Sequence, residues 1–120
     1  LQGLEQNMIA ISHYQIIFWL CAGATAVASM LPVEGSQVFE SQDKVGHALI
    51  YALLYFFGVR AYGHSISLWL LAILILLFGL SIEIAQSMTS YRHGDIWDLV
   101  ANGVGITSIW LLLELRRRTV

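Results

Sequence analysis

The feature that most constrains this chain is the run "ISLWLLAILILLFGLSI", residues 66–82, which holds no formal charge and ends directly on Glu83. In hydrocarbon every backbone N–H and C=O must find a partner within the chain, so such a run is stable there only as helix. Composition places it in that setting. The chain has 120 residues, of which 58% are hydrophobic and 12% charged, against roughly 25% charged in a soluble domain. Mean hydropathy is +0.70. There are too few Lys, Arg, Asp and Glu side chains to cover a soluble surface. The sequence therefore predicts an all-α integral membrane protein of one domain, 1–120.

A formal net charge of −2 gives no basic field for nucleic acid, which is excluded as a partner. The single cysteine, Cys21, cannot form an intrachain disulfide and reads as a small packed hydrophobe. The opening "LQGLEQN", residues 1–7, reads as a remnant or trimmed leader outside the fold, with Met8 as a candidate native start. The first apolar run, Tyr14 to Leu31, has no Lys or Arg before it and exceeds a signal-peptide core in length. It reads as a retained helix.

A helix needs about 20 residues to cross roughly 30 Å of hydrocarbon. Four helices follow, at about 14–31, 43–61, 66–86 and 97–115. The apolar parts of the second and fourth, Val45 to Val59 and Leu99 to Leu113, are too short alone, so their polar beginnings must be helical as well. Arg116, Arg117 and Arg118 put the C-terminus on the cytoplasmic side. With four spans the N-terminus is cytoplasmic too, as is the turn holding Arg60. Glu114 and Arg118 are spaced to pair at i,i+4, and Trp69 and Trp97 are expected at opposite interfaces.

Parity then puts the loops Pro32–Gln42 and Ser87–Trp97 outside, where three helix ends meet. Each brings polar side chains at helical spacing: Asp43 with His47, Glu83 with Gln86, and Asp98 with Asn102. Tyr51 and Tyr55 continue the His47 stripe inward. An ionised carboxylate at depth costs on the order of 2.5 to 3.5 kcal/mol, so Glu83 is expected beside His47, Arg92 or Asn102. The plain structural alternative is polar glue between helices at roughly 0.6 kcal/mol per hydrogen bond, with Asp98 as an N-cap. Glue does not require three acids, an Arg and a His together.

The segments "DKVGHALIYALL", "IEIAQ", Arg92 and "DLVANGVG" resemble, in this order, the VanZ-like membrane protein family, over about residues 43 to 113. The matching positions are Asp43, Lys44, His47, Glu83, Gln86, Arg92, Asp98, Asn102 and Gly105. Ala48 departs from the pattern, since relatives often carry an aromatic directly after the His. The family is named for a membrane protein conferring resistance to teicoplanin, a lipid-tailed glycopeptide antibiotic. The resemblance implies a role at the outer face of a bacterial cytoplasmic membrane, close to envelope lipids or lipoglycopeptides.

Three functions are consistent with these residues. In a binding protein, Asp43, Lys44, Gln86, Arg92 and Asn102 hold the polar headgroup of a membrane lipid or lipid-linked envelope precursor, and helices two and four offer a groove to its tail. In a membrane-interface hydrolase or transferase, His47 is general acid or base, Asp43, Glu83 or Asp98 assist it, and Arg92 stabilises developing negative charge. A small transporter is the third, although transport sites lie near the bilayer midplane and Glu83 ends its run close to an interface. No cofactor is expected, and no metal, because no second His stands at metal-ligand spacing.

Overall fold

The computed structural model describes residues 2–30, 40–89 and 96–119, with side chains over 13–30, 44–89 and 96–117. Four helices follow one another: α1 Gln2–Met30, α2 Glu40–Tyr62, α3 Leu68–Ser87 and α4 Ile96–Thr119. Among the described residues, three segments are long and apolar enough to cross a membrane, namely Lys44–Tyr62, Leu68–Ser87 and Ile96–Arg117. This is the pattern of a multi-pass membrane protein.

The helices differ from expectation at their ends, and local chemistry accounts for each difference. α1 starts at Gln2 rather than near residue 14, because residues 2–13 contain no proline and are rich in Leu, Glu, Gln, Met and Ala, which favour helix whatever their hydropathy. The expected remnant is thus helical from Gln2 on. α2 takes in its polar beginning from Glu40. α3 starts at Leu68 rather than 66 because Ser67, in extended conformation, caps it: its Oγ accepts from the Leu70 N–H at 3.1 Å. Ile66 instead closes the preceding turn, its N–H donating to the Tyr62 carbonyl at 2.9 Å. α4 extends past 115, where Arg117 lies 3.8 Å from Glu114 in an exposed i,i+3 pair. The side chain of Arg118, expected as that partner, lies outside the described residues.

α2 is the centre of the bundle. It packs most extensively on α4 and next on α1, while α3 touches all three other helices. A short turn joins α2 to α3 and makes them antiparallel. The core is formed by Tyr51, Leu54, Tyr55, Leu71, Ile75 and Ile106, with Phe18, Val59 and Trp110 against it. Tyr55 is fully buried and satisfies its hydroxyl by donating to the Leu68 carbonyl at 3.2 Å. Trp19, Leu20, Leu74, Leu77, Leu112 and Leu115 point outward. Large apolar side chains outside and carboxylates inside is the reverse of a soluble protein, and it is the arrangement that lipid as solvent favours.

The tight α2–α4 contact depends on Gly105. A Cβ there would overlap the carbonyl oxygen of Ala48 and lie 2.9 Å from its carbonyl carbon. Small residues permit this backbone approach between membrane helices. At this level the α2 and α4 backbones are in direct contact. A shallow groove of about 580 Å³ lies elsewhere, lined by Gln15, Ile16, Trp19, Leu20 and Tyr62. Tyr62 and His47 are 15 residues apart on α2, or about 22 Å along the helix, so this groove lies at the opposite end from the polar residues.

Candidate functional site

Four polar side chains are buried among the described residues: Glu83 (7% exposed), Gln86 (2%), Asp98 (7%) and Asn102 (1%). They arise from the last turns of α3 and the first turns of α4, and antiparallel packing brings both to one end of the bundle. Lys44 and His47, from the first turns of α2, join them there. All six are residues that the sequence placed in one cluster.

The contacts form a chain across α2 and α4. Lys44 Nζ donates to Asp98 Oδ1 at 3.1 Å. The other carboxylate oxygen, Asp98 Oδ2, lies 3.7 Å from His47 Nε2. The opposite ring nitrogen, His47 Nδ1, is 3.2 Å from Asn102 Oδ1. An amide oxygen can only accept, so with that oxygen facing the ring the proton sits on Nδ1, which donates. In a neutral ring Nε2 then presents a lone pair toward the carboxylate, and in a protonated ring it presents an N–H.

Glu83 completes the cluster from α3. One ligand-type atom from each of His47, Glu83 and Asp98 can be chosen so that all lie within 4.8 Å of one another. Glu83 therefore has His47 as a neighbour, one of the partners anticipated for it. Two carboxylates and an imidazole from three separate helices can bind a cation, accept hydroxyl or amide protons, or move a proton.

Gln86 lies on the same face of α3, one turn beyond Glu83. Its Nε2 donates to the Ser29 carbonyl at 2.7 Å, which ties the end of α1 to the cluster. Its Oε1 is buried with no hydrogen-bond partner among the described residues. Ser29 contributes through its backbone, so no side-chain pattern could have revealed it. Gly79 adjoins the cluster as well, since a Cβ there would stand 2.7 Å from Asn102 Nδ2 and 3.2 Å from the Tyr51 hydroxyl. The missing side chain leaves room for the Asn102 amide to sit in the position from which it holds His47.

Two expected members fall outside the described residues, the side chain of Asp43 and the whole of Arg92, as do Tyr91, His93 and Asp95. Compared with family models, with curated proteins and with solved structures, the chain matches none.

Proposed function

We propose that this chain is a VanZ-like protein of a bacterial cytoplasmic membrane whose polar pocket binds the headgroup of an envelope lipid, a lipid-linked precursor or a lipoglycopeptide. In this reading all four helices span the membrane, both termini are cytoplasmic, and the pocket opens to the outer face. The observation that carries it is Gln86 Oε1, buried without a hydrogen-bond partner among the described residues, within a group of buried polar side chains. Leaving a buried acceptor unsatisfied costs about 1–3 kcal/mol, and a polar ligand would remove that penalty. Polar glue between helices has no need of it. The residue resemblance supports the envelope assignment, and Arg92 is the residue proposed to meet phosphate or carboxylate on the ligand.

A membrane-interface enzyme acting on a lipid-linked substrate is the second reading, favoured by His47 lying between Asn102 and Asp98. That is the arrangement in which a second group fixes the tautomer of a general base. The two readings separate in one experiment. The purified chain in lipid nanodiscs is incubated with envelope lipids and lipid-linked precursors, and bound and altered species are identified by mass spectrometry. Saturable binding without product supports the binder, and a new product supports the enzyme. Neither binding nor product, in protein of native helix content, would reject both.

A further inference from the structure

We infer that His47, Glu83 and Asp98 form a site for one divalent first-row transition-metal cation, of the zinc or manganese type. The inference uses the pocket of the proposed function but does not depend on what ligand enters it. The sequence pattern argued against a metal because no second His stands at ligand spacing. The fold supplies instead one nitrogen and two oxygen donors from α2, α3 and α4, mutually within 4.8 Å.

The distances suit such an ion. Bonds of about 2.0–2.2 Å in tetrahedral geometry put ligand atoms about 3.3–3.6 Å apart. The three donors need to close by at most about 1.5 Å, which side-chain rotation accommodates. His47 Nε2 and Asp98 Oδ2, at 3.7 Å, are nearly there.

The surroundings suit it as well. A metal-bound histidine almost always donates its other ring N–H to a neighbouring acceptor, which fixes the tautomer and aims the lone pair. Asn102 Oδ1 provides that acceptor at His47 Nδ1, and Asn102 is itself 1% exposed. Glu83 and Asp98, when ionised, supply two negative charges that a divalent ion would neutralise in a region where buried charge is expensive. Imidazole with carboxylates suits zinc, manganese or iron, whereas calcium and magnesium favour all-oxygen sets. One turn beyond Glu83, Gln86 Oε1, without a hydrogen-bond partner among the described residues, offers a further neutral oxygen. Three protein donors leave coordination positions for a ligand oxygen, as catalytic metal sites do.

The test uses the full chain without an affinity tag, stripped with chelator and held in nanodiscs. Equilibrium dialysis against Zn²⁺ and against Mn²⁺, read by elemental analysis, is expected to give one ion per chain. His47→Gln, Glu83→Gln and Asp98→Asn should each weaken binding at least ~100-fold, and Asn102→Ala by about 10- to 100-fold. Circular dichroism identifies any variant that does not fold. Independently of the variants, Mn²⁺ should broaden the imidazole resonances of one of the four histidines, and that one should be His47.

Binding unchanged in the three ligand variants, or broadening of other histidines only, would overturn the site. So would headgroup binding by chelated protein that takes up no metal, while the proposed function would stand. Stoichiometric metal uptake with no headgroup binding would reject the proposed ligand and leave the metal site intact.

Discussion

The ring of His47 is held by Asn102, Nδ1 lying 3.2 Å from the amide oxygen, and this bond decides which nitrogen faces Asp98 and Glu83. Asn102→Ala removes the acceptor and leaves a partly buried N–H without its partner. Unfolding free energy should fall by about 1–3 kcal/mol. More specifically, ¹⁵N spectra of the histidine side chains should show His47 as the Nδ1–H tautomer in the parent chain and a shift toward Nε2–H in the variant. An Nε2–H ring in the parent chain would mean that the Asn102 amide is turned the other way.

The glycines of α4 give a matched pair. Gly105 abuts the Ala48 backbone, whereas a Cβ at Gly103 would meet nothing closer than Leu76 Cδ2 at 3.9 Å. Gly105→Ala must push α2 and α4 apart and should destabilise by about 1–3 kcal/mol. Gly103→Ala should be neutral or stabilising by up to about 1 kcal/mol, from helix propensity alone. Thermal unfolding in detergent orders the two, and equal effects would show that the α2–α4 seam is looser than described.

Much of this arrangement could be read from residue spacing. The charge-free run before Glu83 required a helix, and the i,i+4 pair Asp98 and Asn102 required that both face one neighbour. With four antiparallel helices, His47, Glu83 and Asp98 had to come to one end of the bundle. Depth and register between helices were not legible. They depend on Gly105 meeting Ala48 and on the empty space at Gly79, and no periodicity encodes which glycine will be the close one. The close grouping of His47, Glu83 and Asp98 side-chain atoms was not legible for the same reason: spacing rules look along one helix, whereas these three come one from each of three. The start of α1 was missed because hydropathy reports where lipid begins, whereas helix propensity continues past it.

The ion pair between Lys44 and Asp98 spans α2 and α4, with the Lys44 side chain 35% exposed and that of Asp98 10%. An exposed pair contributes about 0–1 kcal/mol, but burying one partner raises the penalty for removing the other. Lys44→Met should therefore destabilise the parent chain more than it destabilises Asp98→Asn, with a coupling of about 1 kcal/mol in a double-mutant cycle. The partial exposure of Lys44 means that this coupling should weaken in high salt. Additive effects would show that Lys44 is held by another group.

Gln86 separates structural glue from a ligand site. Its Nε2 satisfies the Ser29 carbonyl in the last turn of α1, where helix carbonyls lack intrahelical partners, while its Oε1 is a buried acceptor with no partner among the described residues. Gln86→Leu gives up a hydrogen bond of about 0.5–1.5 kcal/mol but also removes an acceptor whose desolvation costs about 1–3 kcal/mol. The two effects oppose each other, so stability should change by less than about 1 kcal/mol. If Oε1 accepts a hydrogen bond from the ligand, headgroup binding should nevertheless weaken about tenfold, the equivalent of one hydrogen bond of about 1.4 kcal/mol. Gln86→Glu should behave differently, since a carboxylate cannot donate to Ser29 and adds negative charge one turn from Glu83. It should lower stability by more than Gln86→Leu does. Unfolding and lipid binding measured on both variants decide the matter: a destabilised Gln86→Leu that binds headgroup normally would make Gln86 a helix fastener and remove it from the site.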